Sequence, residues 1–385
     1  MANFDQEIDR RGTNSIKWKS VGKDILPMWV ADMEFQSPSP VIDAFKKRAD
    51  HGIFGYTTES NEYYQAIVNW MKKRHNWDIK KSWICNSSGI VSGISMLINT
   101  ITNPGEKIIL QTPVYFSFFP MIKNNGRRIV ENPLKFDGEK YTMDFEDLEN
   151  KIDSKVKMLI LCNPHNPVGR VWSKEELKKL GEICLKNEVI IVSDEIHSDL
   201  VYEGNKHIPY TTLGGRFKNN SVVCTSPSKT FNFPGLEPGN LIIPDKKIRR
   251  SFLHTLKRNG ITRPNIFAIE AVKAAYNQGA QWLEELLIYL RENYLFLKEY
   301  IEANIPRIKV IEPEGTYLVW LDFRSLKIEG EELEKLLKRK AKLALTPGYT
   351  FGKGGRGFQR INIACPRSLL EEALKRLEKG IKSII

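Results

Sequence analysis

The chain has 385 residues, 41% of them hydrophobic and 27% charged, a balance that allows one large core and a smaller one and argues against a disordered polymer. A formal charge of +12 raises the question of nucleic acid, but the 58 basic residues are scattered among 46 acidic ones, as in EELEKLLKRKAK, with no basic stripe and no DNA-binding motif. No apolar run approaches the ~18 residues that span a bilayer, and the opening MANFDQEIDRRG is too polar for a secretory leader, so a cytoplasmic protein is expected, with neither membrane nor nucleic acid as partner.

Between residues 83 and 245, short β-branched runs (KIILQ, VKMLILC, VIIVS, SVVCTS, NLIIP) alternate with longer segments, some of helical period. That alternation predicts an α/β fold with a mostly parallel sheet covered on both faces. A helix is expected over 174–187, with Ser173 and Glu176 as a capping box and Leu177, Leu180, Ile183 and Cys184 as its apolar stripe. Beyond 245 long helices take over, notably 281–305, closed by Pro306. YLVWLDF, EELEKLLKRKAKL, FQRINIA and a last helix begun by Ser368 and Glu371 then read as a smaller α+β unit. The expected division is 46–284 for the large domain, with 1–45 and 285–385 forming the small one. Five cysteines, Cys85, Cys162, Cys184, Cys224 and Cys365, show no CxxC spacing, which points to neither disulfides nor a metal site.

Candidate functional residues follow in chain order. SSGIVSGISMLINTI at 87–101 begins with small residues and continues as an apolar helix, so backbone N–H groups from Gly89 and Ile90 onward can face an anion; a plain cap by Ser87 or Ser88 is the ordinary alternative. Tyr115, in TPVYFSFF, lies just past a strand's carboxyl end, where α/β sheets bind ligands and a flat ring can stack on another; a core or rim aromatic is the ordinary reading of the stretch on its own. In NPHNPVGR the two Asn-Pro steps fix the turn and so the aim of Asn166. VIIVSDEIHSD drives a buried strand into Asp194, Glu195 and His197, and a carboxylate there requires a positive partner or a structural ion pair. Lys229, in CTSPSKTFN, leaves an apolar strand among Ser226 and Ser228, which favours a neutral, nucleophilic amine beside phosphate-binding hydroxyls, although SPSK alone also suits a surface turn. Arg360, in GFQRINIACPR, presents a planar fork suited to a carboxylate, unless it is a snorkelling edge residue.

Taken together, in this order and spacing, these motifs resemble the fold type I pyridoxal-phosphate (PLP) enzymes of the class I/II aminotransferase superfamily over nearly the whole chain. MWVADMEF at 28–35, HGIFGYT at 51–57 and the histidine of DEIH are similar to its carbon-sulfur lyase branch, the cystathionine β-lyase-like proteins. The resemblance implies pyridoxal 5′-phosphate as cofactor, bound covalently by Lys229, with Asp194 keeping its ring nitrogen protonated. By the same resemblance Asn166 bonds the 3-oxygen, Tyr115 stacks on the ring, His197 also contacts the cofactor, and Gly89, Ile90, Ser226 and Ser228 cradle the phosphate. Arg360, with Ala31, is implied in binding the amino-acid substrate, and Tyr56 in catalysis and substrate binding from the neighbouring subunit of a homodimer. The implied reaction is β-elimination of a cystathionine- or cysteine-type substrate to pyruvate, ammonia and a thiol. An aminotransferase on the same scaffold and a PLP-binding regulator without turnover are the alternatives. Three departures weigh against the aminotransferase: Glu237 stands where such enzymes carry a phosphate-binding arginine, His197 where they carry a tyrosine, and FNFPGLEPG holds two prolines where smaller residues are expected.

Overall fold

The computed structural model describes residues 2–261, 263–328 and 330–383. Seven strands form the central sheet: β1 (Ile84–Ser88), β2 (Lys107–Leu110), β3 (Arg128–Glu131), β4 (Val156–Cys162), β5 (Ile190–Asp194), β6 (Ser221–Thr225) and β7 (Pro238–Ile242). Their spatial order is β1-β7-β6-β5-β4-β2-β3, and only β7 runs antiparallel to its neighbours. Every run expected as a strand is one, and the near-continuous burial of β4, β5 and β6 is what a sheet covered on both faces requires. The order has a direct consequence for function. β2, β4, β5 and β6 are consecutive in the sheet and parallel, so the loops leaving their carboxyl ends converge on one edge, joined by the loop leaving β1.

The second sheet is antiparallel, in the order β8-β9-β11-β10, from β8 (Lys309–Ile311), β9 (Leu318–Asp322), β10 (Thr346–Pro347) and β11 (Phe358–Asn362). An ion-pair cluster around a buried arginine fixes it to the central sheet. Arg170, in the loop after β4, donates through Nη1 to both carboxylate oxygens of Glu314 at 2.5 and 2.6 Å and through Nη2 to Glu176 at 3.0 Å. The amino-terminal segment joins the same unit: Leu26 and Pro27 pair in parallel with Leu343 and Ala344.

The long helices are α1 (Ser39–Asp50), α2 (Asn61–His75), α3 (Ile90–Ile101), α4 (Lys174–Lys186), α5 (Lys246–Arg258), α6 (Ile266–Gln278), α7 (Ala280–Asn304) and α8 (Arg367–Lys382). In α4 the capping box is formed in both directions by Ser173 and Glu176. α8 corrects the sequence reading: Pro366 occupies the cap position, and Ser368 lies inside the helix with its hydroxyl turned to Glu7. Proline's fixed φ suits a helix start, so no serine cap is needed there. All five cysteines are buried free thiols, and no cluster of metal-ligating side chains occurs among the described residues. Nor, among those residues, is any helix long and apolar enough to cross a membrane.

Candidate active site

At the carboxyl edge of the central sheet lies a cavity of about 330 Å³ whose walls include Ala31, Gly89, Ile90, Tyr115, Asn166, Asp194, His197, Ser228 and Lys229. Six separate stretches of sequence therefore meet in one place. Arg360, Ser226 and Tyr56 are not among the lining residues, and Tyr56 has 98% of its surface exposed.

The floor is set by β5. Asp194 ends that strand, is buried, and accepts a single hydrogen bond, from the Ile196 N–H at 3.2 Å. Burial raises its carboxyl to about 7, and neighbouring Glu195 pushes the same way. Glu195 itself is fully engaged, accepting from Ser193 Oγ at 2.8 Å, His207 Nε2 at 2.8 Å and the Tyr210 N–H at 2.9 Å. Of the two adjacent acids, one is satisfied by protein and the other faces the cavity without a donor side chain.

Lys229 emerges after β6. Burial brings its amine down to about 8, and the charge of Arg360 acts in the same direction. Its Nζ donates to the Ala31 carbonyl at 2.5 Å, an oxygen that also accepts from Tyr317 Oη at 3.0 Å. The loop that carries it is clamped on both sides. Thr230 donates to buried Asp199 at 2.8 Å, a carboxylate that also accepts from Trp70 Nε1 at 3.1 Å and meets His75 Nε2 at 2.8 Å. Asn232, at φ 57°, bonds Met33 N–H and the carbonyls of Met33 and Phe35, tying the MWVADMEF segment to the lysine loop.

The anion end is built by α3. Gly89 occupies its cap position at φ 84°, and no serine side chain caps the helix, so the ordinary alternative raised by Ser87 and Ser88 does not hold. The N–H groups of Ile90 and Val91 consequently remain without partners inside the helix at the cavity wall. β7 crowds this turn from behind: a Cβ on Gly239 would sit 2.4 Å from Ser87 Oγ and 2.9 Å from the Gly89 carbonyl carbon. Ser228 shares the wall, whereas Ser226 donates to the Pro238 carbonyl at 2.6 Å and accepts from the Ser228 N–H at 3.1 Å. Ser226 thus shapes the turn rather than facing the cavity.

At the opposite end Arg360, on β11, is 2% exposed and has no carboxylate partner. Nη1 donates to Asn166 Oδ1 at 2.7 Å, Nη2 to the Trp29 carbonyl at 3.0 Å and Thr346 Oγ1 at 3.1 Å, and Nε has no partner. Desolvation lowers the guanidinium to about 10. Because the Asn166 carbonyl oxygen is held by arginine, its amide nitrogen is the end left to serve the cavity. His197 is neutral, held down to about 3 by burial and the charges of Lys229 and Arg360, and its Nδ1 has no hydrogen-bond partner. Tyr115 packs edge-on to Phe118 with ring centroids 5.4 Å apart.

Several residues of the site escape motif reading: Tyr317 just before β9, Asn232, Asp199 and Arg170. Asn232 and Arg170 lie inside SPSKTFN and NPHNPVGR, and Asp199 closes SDEIHSD, so each carried a positional signal, whereas Tyr317 carried none.

Comparison with known proteins agrees with this geometry. The model of the family "Aminotransferase class I and II" matches residues 23–377. Cystathionine beta-lyase PatB of Bacillus subtilis is 44% identical over 98% of this chain and all of its own. Among solved structures, a PLP-bound putative aminotransferase from Clostridium difficile is 48% identical with a TM-score of 0.97, covering 99% of this chain and 100% of that one. A PLP-bound C-S lyase from Staphylococcus hominis is 34% identical with a TM-score of 0.92, over 98% of each chain. With the match spanning both sheets and every wall of the cavity, the chain belongs to the class I and II aminotransferase family.

Proposed function

We propose that this protein is a PLP-dependent carbon-sulfur β-lyase that converts cystathionine, cysteine or a related S-substituted amino acid to a thiol, pyruvate and ammonia, acting as a homodimer. One observation carries the proposal: a buried carboxylate that forms no ion pair, a lysine whose ammonium form is disfavoured by burial and an uncapped helix N-terminus share one cavity, each lacking the partner that a different part of PLP provides. Asp194 suits the protonated ring nitrogen, Lys229 the aldehyde, and Ile90 and Val91 with Ser228 the phosphate.

When bound there, the cofactor supplies an electron-withdrawing ring that stabilises negative charge at the substrate's α-carbon. The remaining work falls to the chain. Arg360 would pair with the α-carboxylate and orient the substrate, and the Asn166 amide nitrogen would be the donor to the cofactor's 3-oxygen. Lys229 Nζ, its amine brought down to about 8 by burial and so available in the neutral form around that pH, takes the α-proton as general base. Asp194 remains ionised beside the ring nitrogen and so keeps that nitrogen charged. Cleavage of the Cβ–S bond releases a thiolate, a better leaving group than hydroxide because a thiol's pKa is ~8.5. Water then hydrolyses the remaining three-carbon fragment to pyruvate and ammonia.

PatB and the Staphylococcus hominis C-S lyase support elimination, as does Glu237 at the position where a phosphate-binding arginine is expected of an aminotransferase. The naming of the Clostridium difficile protein favours transamination as the second reading. Incubation with cystathionine and no 2-oxo acid acceptor separates them. Pyruvate and free thiol in equal amounts are expected; formation of a 2-oxo acid only when an acceptor is added, without thiol release, would reject the lyase.

A further inference from the structure

Residues 28–32 follow the short pairing of Leu26 and Pro27 and lie outside any strand, yet each of their carbonyls accepts a hydrogen bond. The partners alternate. The Trp29 carbonyl accepts from Arg360 Nη2 at 3.0 Å and Thr346 Oγ1 at 2.9 Å, and that of Ala31 from Lys229 Nζ at 2.5 Å and Tyr317 Oη at 3.0 Å. Between them, the Met28 carbonyl accepts from the Asn362 N–H at 2.9 Å, and those of Val30 and Asp32 each accept from Asn362 Nδ2 at 2.6 Å. The odd-numbered carbonyls thus face the two cationic side chains of the site, while the even-numbered ones are gathered by one residue.

Asn362 closes β11 two residues after Arg360, so the two side chains leave the same face of that strand. It is buried, and its amide can point only one way. Oδ1 accepts from the Ala364 N–H at 2.8 Å, which leaves the nitrogen toward the strap, with both of its hydrogens spent on carbonyls. A strap without ladder bonds takes its path from such contacts, and buried carbonyls stripped of their donor are costlier to leave than exposed ones.

We infer that Asn362 is a positioning residue of the elimination: by holding alternate carbonyls of 28–32 it aims the Trp29 carbonyl at Arg360 and the Ala31 carbonyl at Lys229. The general base and the fork for the substrate carboxylate are thereby set at one fixed separation. The inference rests on the PLP reading above and deepens it by a residue that touches neither cofactor nor substrate. It also bears on the amine's charge, because an acceptor carbonyl favours the protonated lysine against burial. Asp32 and Asp194 support the same form and Arg360 opposes it. His197 is neutral, Tyr317 is a buried phenol, Glu237 lines the cavity, and none of these groups is chemically altered by a change at position 362.

The experiment compares Asn362→Leu, similar in size but without a donor, with Asn362→Ser, a milder change whose hydroxyl cannot span both carbonyls. Stripped protein is labelled with trace acetic anhydride from pH 6 to 10, and the Lys229 peptide is read by mass spectrometry. The labelling midpoint is expected to fall from about 8 to roughly 7 in Asn362→Leu, and by less in Asn362→Ser. In the PLP-loaded protein kcat/KM on cystathionine should drop ~100-fold, through kcat and KM together, because both ends of the site lose their aim. Thr346→Val, which loosens only the arginine end, should raise KM and leave the midpoint in place. A midpoint unmoved in both Asn362 variants, one moved as far by Thr346→Val, or a loss confined to kcat or to KM would overturn the assignment. Wild-type protein whose Lys229 is not fixed to PLP by borohydride would remove the PLP reading instead, while the labelling midpoint still judges Asn362.

Discussion

Replacing Asp194 with asparagine should stabilise the cofactor-free protein while disabling the site. In the folded chain burial holds this carboxyl at about 7, against 3.8 for an unperturbed aspartate. The folded state therefore keeps a proton that the unfolded chain releases near pH 4, so stability falls as pH rises from 4 to 7 and stays low above. Three pH units at ~1.4 kcal/mol each amount to ~4 kcal/mol of lost stability at pH 8. Asparagine is neutral, nearly isosteric, and still accepts the Ile196 N–H, so it removes most of that penalty. For a 385-residue chain, with unfolding entropy of ~2 cal/mol/K per residue, ~4 kcal/mol corresponds to a rise in Tm of ~5 °C. Thermal unfolding of stripped wild type and Asp194→Asn, measured every half unit from pH 4 to 9, should give curves that coincide at pH 4 and diverge up to pH 7. With PLP added the order reverses, because only the carboxylate compensates a charged ring nitrogen. A constant gap across the pH range, or a stripped variant less stable than wild type at pH 8, would refute the claim that Asp194 is a buried charge awaiting a cation.

Three further outcomes test separate parts of the site. Arg360→Ala should lose kcat/KM by an amount equivalent to ~2–5 kcal/mol, mostly through KM, since it removes a desolvated partner of the substrate carboxylate; unchanged saturation kinetics would exclude Arg360. Asp199→Ala strands Trp70 Nε1, His75 and the Thr230 hydroxyl in a buried setting and should cost ~3–5 kcal/mol in denaturant unfolding. Burial opposes the charge on Asp199, but the bonds from His75 and Thr230 outweigh it and hold the acid below the usual range. Its contribution is therefore complete above pH ~4 and is lost as pH falls further, so the wild-type advantage over the alanine variant should shrink in acid. Gly239→Ala places a methyl group against Ser87 Oγ and the Gly89 backbone, and should weaken PLP while sparing pyridoxal; equal affinity for PLP would show the turn can yield.

The fold was largely legible because each strand of the central sheet is a compact β-branched run, and burial on both faces leaves such a run no other role. The lining residues Lys229, Asp194, Asn166 and Tyr115 were legible for a related reason: a polar group at the last residue of a buried strand or up to five residues past it lies at the ligand-binding edge, whatever the chain does between strands. What resisted reading was contact between distant segments. Nothing local tells that Tyr317 and Lys229 share the Ala31 carbonyl, nor that Arg170 reaches Glu314 across 144 positions. Ser368 misled because Ser followed by Glu three residues later satisfies a capping box in sequence, while Pro366 had already fixed the helix start.

The charges of the site specify a ligand even before any cofactor is named. A buried carboxylate outside any ion pair, a buried guanidinium without an acid, and an uncapped helix start are each costly or wasted in a folded protein, and selection for stability alone would remove all three. Removing only one would leave the others uncompensated, since Asp194 and Arg360 each influence the Lys229 amine and are not paired with one another. They are rational together only if occupied together, by a cation at Asp194, a carboxylate at Arg360 and a phosphate at Ile90. A pyridine ring bearing a phosphate, joined to an α-amino acid, carries those three groups in one assembly, and Lys229 is the amine placed between them.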